Sequence, residues 1–201
     1  MQGQWNKWIY LSVVMFAGAI CGSILLQALP SVQQEELNQG IVHYVGWLQQ
    51  AAFLDRTELF WATFFKHMKW ALAFIVLGIS MIGVPFVIIL NFLKGFLLGS
   101  SIFMLTQAFG SEGIWLSLLT VAPHNIVVLP ALIILSSSAI SFAAFLFNNR
   151  IRKHQGVLSQ QLLSFSTVAT AMLLLLAAAS LIEVYVTPML LEWYSSGNKL
   201  V

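Results

Sequence analysis

The chain has 201 residues, a formal net charge of +2, 59% hydrophobic residues and only 8% charged residues. Soluble domains carry about 25% charged residues and turn most of their area toward water, so this composition excludes an ordinary cytosolic enzyme, a secreted disulfide scaffold and a disordered chain. The single cysteine, Cys21, excludes an internal disulfide, and the small scattered charge argues against nucleic-acid binding. A small polytopic membrane protein remains.

The first predicted element is a membrane-spanning helix over residues 9–29, an uncharged apolar run long enough to cross the hydrocarbon core. Trp5 and Trp8 precede it, at the headgroup level that amphipathic rings prefer. The run is longer than the apolar region of a signal peptide, so we interpret it as a retained anchor. Gly18 and Gly22 form a close-approach motif, which suits packing either within the chain or against a partner's transmembrane helix.

The hydrophilic stretch over residues 30–69 is predicted to be a structured extracytoplasmic loop. Ser31 and Gln34 have the spacing of a capping box, and apolar residues then recur at three- and four-residue steps, which predicts an amphipathic helix. One interpretation is a segment that rests on the membrane surface with its aromatic side chains in the headgroup belt. The other is a docking platform for an extracytoplasmic partner, with Trp47 and Trp61 as candidate contacts.

The second and third membrane spans are predicted over residues 70–90 and 95–109. Asp55 and Glu58 mark a helix start ahead of the second span, and one helix is expected to run from there over residues 56–90. At 1.5 Å per residue this helix would be roughly 50 Å long, which exceeds the hydrocarbon thickness. Its first part is therefore expected to stand above the outer surface or to lie along it.

The apolar sequence that follows is interrupted by glycine and proline. A turn with two glycines is followed by a half-length segment over residues 114–122, which either re-enters the membrane or forms a broken helix. A full span is predicted over residues 126–147. The fifth span covers residues 162–186, with Glu183 close enough to its end to reach the interface. The predicted fold is an all-α polytopic membrane bundle of about five transmembrane helices, in one domain over residues 1–201.

The orientation is predicted from the basic residues that flank the spans. Arg150, Arg152 and Lys153 form a compact cluster between the fourth and fifth spans. With five crossings, this cluster lies on the same side as Lys7 and Lys94, and the positive-inside rule assigns that side to the cytoplasm. The N-terminus is therefore expected in the cytoplasm and the C-terminus outside it.

The sequence contains no catalytic motif and no metal-ligand spacing, so we expect no enzyme activity, no metal site and no cofactor. The most unusual local feature is Pro123-His124-Asn125, because polar groups within a membrane are costly and often mark function. Pro123 is expected to end the half-length segment, and His124 or Asn125 to cap the next helix. Pro130 is expected to kink that helix or to help start it. A ligand or proton-transfer role for His124 is the competing interpretation.

Two motifs carry a family resemblance. The first is Asn91-Phe-Leu-Lys-Gly95-Phe-Leu-Leu-Gly99, and the second is the Pro123-His124-Asn125 segment that runs to Pro130 and Ala131. Together with the length and the order of spans, this pair resembles the stage II sporulation protein M family. The chain departs from the broad family pattern at Asn125, where a glycine is common, and at Val128, where a glutamate is common. Any role that needs a membrane carboxylate at Val128 is therefore in doubt.

The resemblance implies a membrane scaffold of the engulfment complex in endospore formation, in the mother-cell membrane at the septum. It would hold two peptidoglycan hydrolases, stage II sporulation proteins D and P, for septal wall thinning and membrane migration. A second hypothesis is a transporter or channel subunit, since broken helices such as that around Pro123 often build transport sites. The scarcity of charge expected inside the spans argues against it. A membrane enzyme that uses His124 is the third hypothesis.

Overall fold

The computed structural model describes residues 2–50, 55–80, 82–152 and 158–197. These residues form helices throughout, joined by short turns, and no strand occurs among them. The elements are α1 (Gln2–Gln27), α2 (Ser31–Gln50), α3 (Arg56–Ile79), α4 (Gly83–Phe109), α5 (Ser111–Thr120), α6 (Ala122–Arg152), α7 (Leu158–Leu181), a π-helical segment (Ile182–Val186) and α8 (Thr187–Gly197).

Five helical stretches are long and apolar enough to cross a membrane, which confirms the all-α polytopic class. They are Gln4–Gln27, Arg56–Ile79, Gly83–Phe109, Ala122–Asn149 and Leu158–Leu191. The fifth stretch comprises α7, the π segment and the start of α8. The outer helix α2 and the half-length helix α5 are both present, as the sequence predicted.

The second and third spans have different bounds from those predicted, because the chain breaks within the expected span 70–90. Helix α3 ends at Ile79, where the amide of Ser80 donates to two carbonyls of the last turn, and α4 begins at Gly83. A Cβ at Gly83 would overlap the Leu77 carbonyl oxygen, so the tight turn requires glycine. Pro85 lies in the first turn of α4, where its missing amide hydrogen costs nothing. The expected continuous helix over residues 56–90 was therefore wrong.

The other helices differ from the predicted spans mainly at their ends. Helix α1 begins at Gln2 rather than Ile9, and α6 covers Ala122–Arg152 rather than 126–147. The half-length helix is Ser111–Thr120 rather than 114–122. An apolar run marks only the part of a helix inside hydrocarbon, whereas its backbone hydrogen bonds continue into the headgroup region.

Helices α1 and α4 cross at close range through glycines on both sides. A Cβ on any of the four would overlap a backbone carbonyl oxygen of the opposite helix. Gly18 and Gly22 of α1 lie against Phe92 and Phe96, and Gly95 and Gly99 of α4 lie against Met15 and Ala19. The hydroxyl of Ser23 adds a hydrogen bond across this contact to the Gly99 carbonyl, at 3.2 Å. Lipid tails give helices no hydrophobic drive to associate, so backbone approach of this kind provides the attraction.

The remaining core lies between α3, α6 and α7. Phe74, Leu135 and Ala139 are completely buried there. The rings of Phe142 and Phe165 stack with their centroids 5.0 Å apart and so join α6 to α7. Helix α6 contacts α1, α3, α4 and α7, and is therefore the central helix of the bundle.

The outer elements are fixed to the bundle at their helix ends. The capping box expected between Ser31 and Gln34 involves the Ser31 side chain, which lies outside the described residues. The side-chain amide of Gln34 donates to carbonyls at the end of α1, including that of Leu29 at 3.0 Å. Carbonyls at a helix C-terminus lack partners within the helix, so this contact is locally favourable. The helix start predicted at Asp55 is confirmed, because its carboxylate accepts from the Thr57 amide at 2.9 Å.

Candidate functional site

Lys94 is a charged residue within one of the five helices that are long and apolar enough to cross a membrane. It is near the middle of α4, so the expectation that it occupies a cytoplasmic turn was wrong. The crossing with α1 agrees with this position, because Gly18 in the middle of the apolar run contacts the backbone of Phe92 and Phe96, on either side of Lys94. Charged groups within a membrane are costly and face protein or a cavity. The structure therefore marks the surroundings of Lys94 as a candidate site.

A carboxylate from the fifth span pairs with basic side chains of α3 and lies near a histidine of α6. Glu183 Oε1 accepts from Lys66 Nζ at 2.9 Å, and Glu183 Oε2 lies 2.9 Å from His67 Nε2. His124 Nε2 is 3.8 Å from the same Oε2 atom. The side chain of His67 is 2% exposed and that of Glu183 is 17% exposed, whereas Lys66 is 54% exposed at the rim. The carboxylate thereby compensates the Lys66 charge.

These residues share a cavity of about 390 Å³ between α3, α4, α5, α6 and α8. This volume is in the usual range for a small-molecule site. Five ionisable side chains line the cavity, together with the hydroxyl-bearing Thr187. The ionisable residues are Lys66, His67, Lys94, His124 and Glu183. The predicted scarcity of charge inside the spans was therefore wrong. In the described ranges, no three histidine, cysteine or acidic side chains are arranged to hold a metal ion.

Two irregularities of the helices place polar groups at the cavity. Helix α5 ends before Val121, and α6 restarts so that Pro123 and His124 fall in its first turn. Asn125 does not cap the free amides as expected, because its side-chain amide donates to the Val121 carbonyl at 2.7 Å and contacts His124 Nε2 at 3.0 Å. The second irregularity is the π segment, which carries Glu183. π-helical turns are rare and occur frequently at functional sites.

The other residues singled out from the sequence have packing positions. Asn91 is 1% exposed, donates to the Val87 carbonyl at 2.8 Å and accepts from Ser136 of α6 at 3.3 Å. Pro130 lies inside α6 and lines a separate apolar cavity of about 230 Å³ against α1 and α4. The four glycines of the close-approach motifs, Gly18, Gly22, Gly95 and Gly99, face one another across the α1–α4 contact.

An aromatic cluster marks the outer part of α3. Trp61 is 50% exposed, and its ring contacts those of Phe60, Phe64 and Phe65. This cluster lies toward the end of α3 that follows the outer helix α2. The side chain of Trp47, the second candidate contact, lies outside the described residues.

Sequence reasoning singled out His124 but missed the residues that meet it. Lys66 was assigned to the outer loop and Lys94 to an inner turn, and both errors follow from the bounds given to the spans. Gly83 and Pro85, which end one helix and begin the next, are the signal that would have corrected them. The contacts of Glu183 with α3 were not predicted at all.

The comparison with protein families agrees with the resemblance seen in the sequence. The family model described as stage II sporulation protein M matches residues 11–188, which include both motifs and every cavity residue except Leu191. Neither the curated proteins nor the solved structures provide a match. The family match and the five apolar helices together describe a sporulation-related, multi-pass membrane protein. The chain belongs to the stage II sporulation protein M family.

Proposed function

We propose that this protein is a membrane scaffold of the engulfment complex in endospore formation, without enzyme activity of its own. It recruits the peptidoglycan hydrolases, stage II sporulation proteins D and P, to the mother-cell membrane at the septum. The observation that carries the proposal is the family match over residues 11–188. Septal wall thinning and membrane migration would then depend on where this protein holds the hydrolases.

The distribution of basic residues supports the orientation that this function needs. Lys66, Lys69 and Lys94 lie within spans and so leave the count of flanking charges. Lys7 and the cluster at Arg150 and Arg152 remain at the end of the bundle that contains the α3–α4 turn, and Lys7 contacts Ser141 of α6 at 2.8 Å. By the positive-inside rule this end faces the cytoplasm. The N-terminus would then be cytoplasmic, and α2 with the aromatic cluster would face the wall.

The aromatic cluster on α3 is the proposed contact for the hydrolases. Exposed tryptophan is enriched at sites where proteins bind, since it offers a large area at little entropic cost. The test is co-purification of both hydrolases with the full-length protein in mild detergent. We expect Trp61→Ala to reduce the amount of hydrolase that co-purifies about tenfold or more, which is the loss typical of a hot-spot residue. Trp5→Ala is the matched control, because Trp5 is 61% exposed near the N-terminus, on the opposite side of the membrane.

A second experiment tests the proposal in cells. Deletion of the gene should disperse fluorescent fusions of both hydrolases from the septum and block engulfment. Normal hydrolase localisation and normal engulfment in the deletion strain would overturn the scaffold proposal. Cleavage of murein by the purified protein alone would also contradict it.

The cavity favours a transporter or channel subunit as the second candidate function. Transport sites commonly lie near the membrane midplane beside interrupted helices, and this cavity combines Lys94, which lies within a span, with the break before α6. The test is solute flux into liposomes that contain the purified protein. Flux that is lost on substitution of His124 and Asn125 would support transport, and the absence of flux above protein-free liposomes would refute it.

A further inference from the structure

Three residues from three different helices line the cavity and carry a polar group with no hydrogen bond or ion pair among the described residues. The Oγ1 atom of Thr187, a residue only 4% exposed, makes no hydrogen bond with any described residue. Nδ1 of His124 is likewise buried without one. The ammonium group of Lys94 lies 5.3 Å from the centre of the Trp70 ring and has no ion pair within the part of the chain described. Buried polar groups without hydrogen bonds are costly, so the Thr187 hydroxyl and His124 Nδ1, beside the half-buried Lys94, indicate a ligand.

The proton on the His124 ring is assigned by its neighbour. The Asn125 side-chain amide donates to His124 Nε2, at 3.0 Å. A neutral imidazole has one donor and one acceptor nitrogen, so Nδ1 carries the proton. The unpartnered nitrogen is therefore a donor, like the ammonium of Lys94 and the hydroxyl of Thr187.

The charge balance of the cavity favours an anion. Glu183 already accepts from Lys66 and contacts His67, so its negative charge is compensated on the α3 side. Lys94 on α4 is left as the uncompensated cation. A ligand that satisfies this site must bring negative charge and accept hydrogen bonds from several directions.

We propose that the cavity binds a phosphate-bearing anion, with Lys94 as its charge partner and His124 and Thr187 as hydrogen-bond donors. Phosphate oxygens point toward the corners of a tetrahedron and can accept from donors on three different helices, whereas both oxygens of a carboxylate lie in one plane. Lysine binds phosphate well as a point charge. The rest of the lining is largely apolar, including Leu98 and Leu191, and so also accommodates an apolar group attached to the phosphate. This inference goes beyond the scaffold function and does not depend on it.

The test measures binding of two phosphate sources to the full-length protein in detergent. One probe is phosphatidylglycerol, followed by native mass spectrometry, and the other is inorganic phosphate, followed by calorimetry. We expect Lys94→Met to raise the dissociation constant about tenfold or more, because one charge-assisted hydrogen bond is lost. Lys69→Met is the matched control, because Lys69 is an exposed lysine of α3 outside the cavity. The Lys69→Met variant should bind each probe with the same affinity as the unmodified protein.

Two further variants make the test independent of any folding defect. Thr187→Val keeps the shape of the side chain and removes only the hydroxyl, so we expect binding to weaken about threefold to tenfold. Lys94→Arg keeps the charge and should retain most of the affinity. Unfolding curves of each variant show whether a loss of binding accompanies a loss of structure.

The two probes distinguish the source of the phosphate. Binding of phosphatidylglycerol alone, lost in Lys94→Met, supports a lipid headgroup. Binding of inorganic phosphate as well, lost in the same variant, supports a free phosphate group. If the unmodified protein binds neither probe, or if Lys94→Met binds both as tightly as Lys69→Met, the proposal is overturned.

Discussion

Replacement of a glycine at the α1–α4 crossing by alanine should destabilise the protein measurably. A Cβ at Gly95 would overlap the Met15 carbonyl oxygen and lie 2.7 Å from its carbonyl carbon, whereas ordinary contacts begin near 3.4 Å. Both obstacles are backbone atoms, so no side chain can rotate away and the helices must separate. Overpacking of this kind costs about 1–3 kcal/mol. For a chain of this size, each kcal/mol lowers the melting temperature by about 2–4 °C.

The assay is thermal unfolding of the purified full-length protein in one detergent. Gly40→Ala is the control, because a Cβ at Gly40 meets nothing within 4 Å and the residue lies within helix α2. Alanine is the better helix former, so this control should melt at the same temperature or slightly higher. If Gly95→Ala has the same melting temperature as Gly40→Ala, the reasoning from backbone overlap is refuted.

Three further outcomes are expected. Glu183→Leu should lower the melting temperature more than Glu183→Gln. Glutamine can still accept a hydrogen bond from the buried His67, whereas leucine leaves the His67 ring unpaired. Equal melting temperatures of the two variants would contradict this reasoning. Asp55→Ala should cost about 0.5–2 kcal/mol and speed amide exchange in the first turn of α3, which hydrogen-exchange mass spectrometry measures; unchanged exchange would count against the cap. Ser80→Cys, in a Cys21→Ser background, should react with a membrane-impermeant thiol reagent only from the cytoplasmic side; reaction from outside would reverse the proposed orientation.

The helices themselves could be predicted because the spacing of apolar residues reports directly on helix length and membrane depth. The bounds of the spans could not be predicted from hydropathy alone, since the residues around the α3–α4 turn are as apolar as those within the helices. Gly83 allows the tight turn and Pro85 lies in the first turn of the next helix, but a hydropathy profile shows no break at either residue. Local backbone chemistry therefore decides a boundary that the apolar pattern leaves continuous.

The candidate site was only partly predictable, for a different reason. His124 stands out locally, because it follows a proline within apolar sequence. Its neighbours His67 and Glu183 belong to helices far away in the chain, and nothing in one sequence pairs α3 with the fifth span. Tertiary packing alone brings these side chains together, so their meeting required the structure.

The scaffold proposal and the phosphate proposal use separate surfaces and can therefore be tested separately. Trp61 lies on the exposed aromatic cluster of α3 and does not line the cavity, whereas Lys94 lines the cavity from α4. Trp61→Ala should then weaken hydrolase co-purification and leave phosphate binding intact. Lys94→Met should weaken phosphate binding, and its effect on co-purification shows whether the cavity influences the outer surface. Because α3 carries both His67 and Trp61, it is the element through which such an influence would pass.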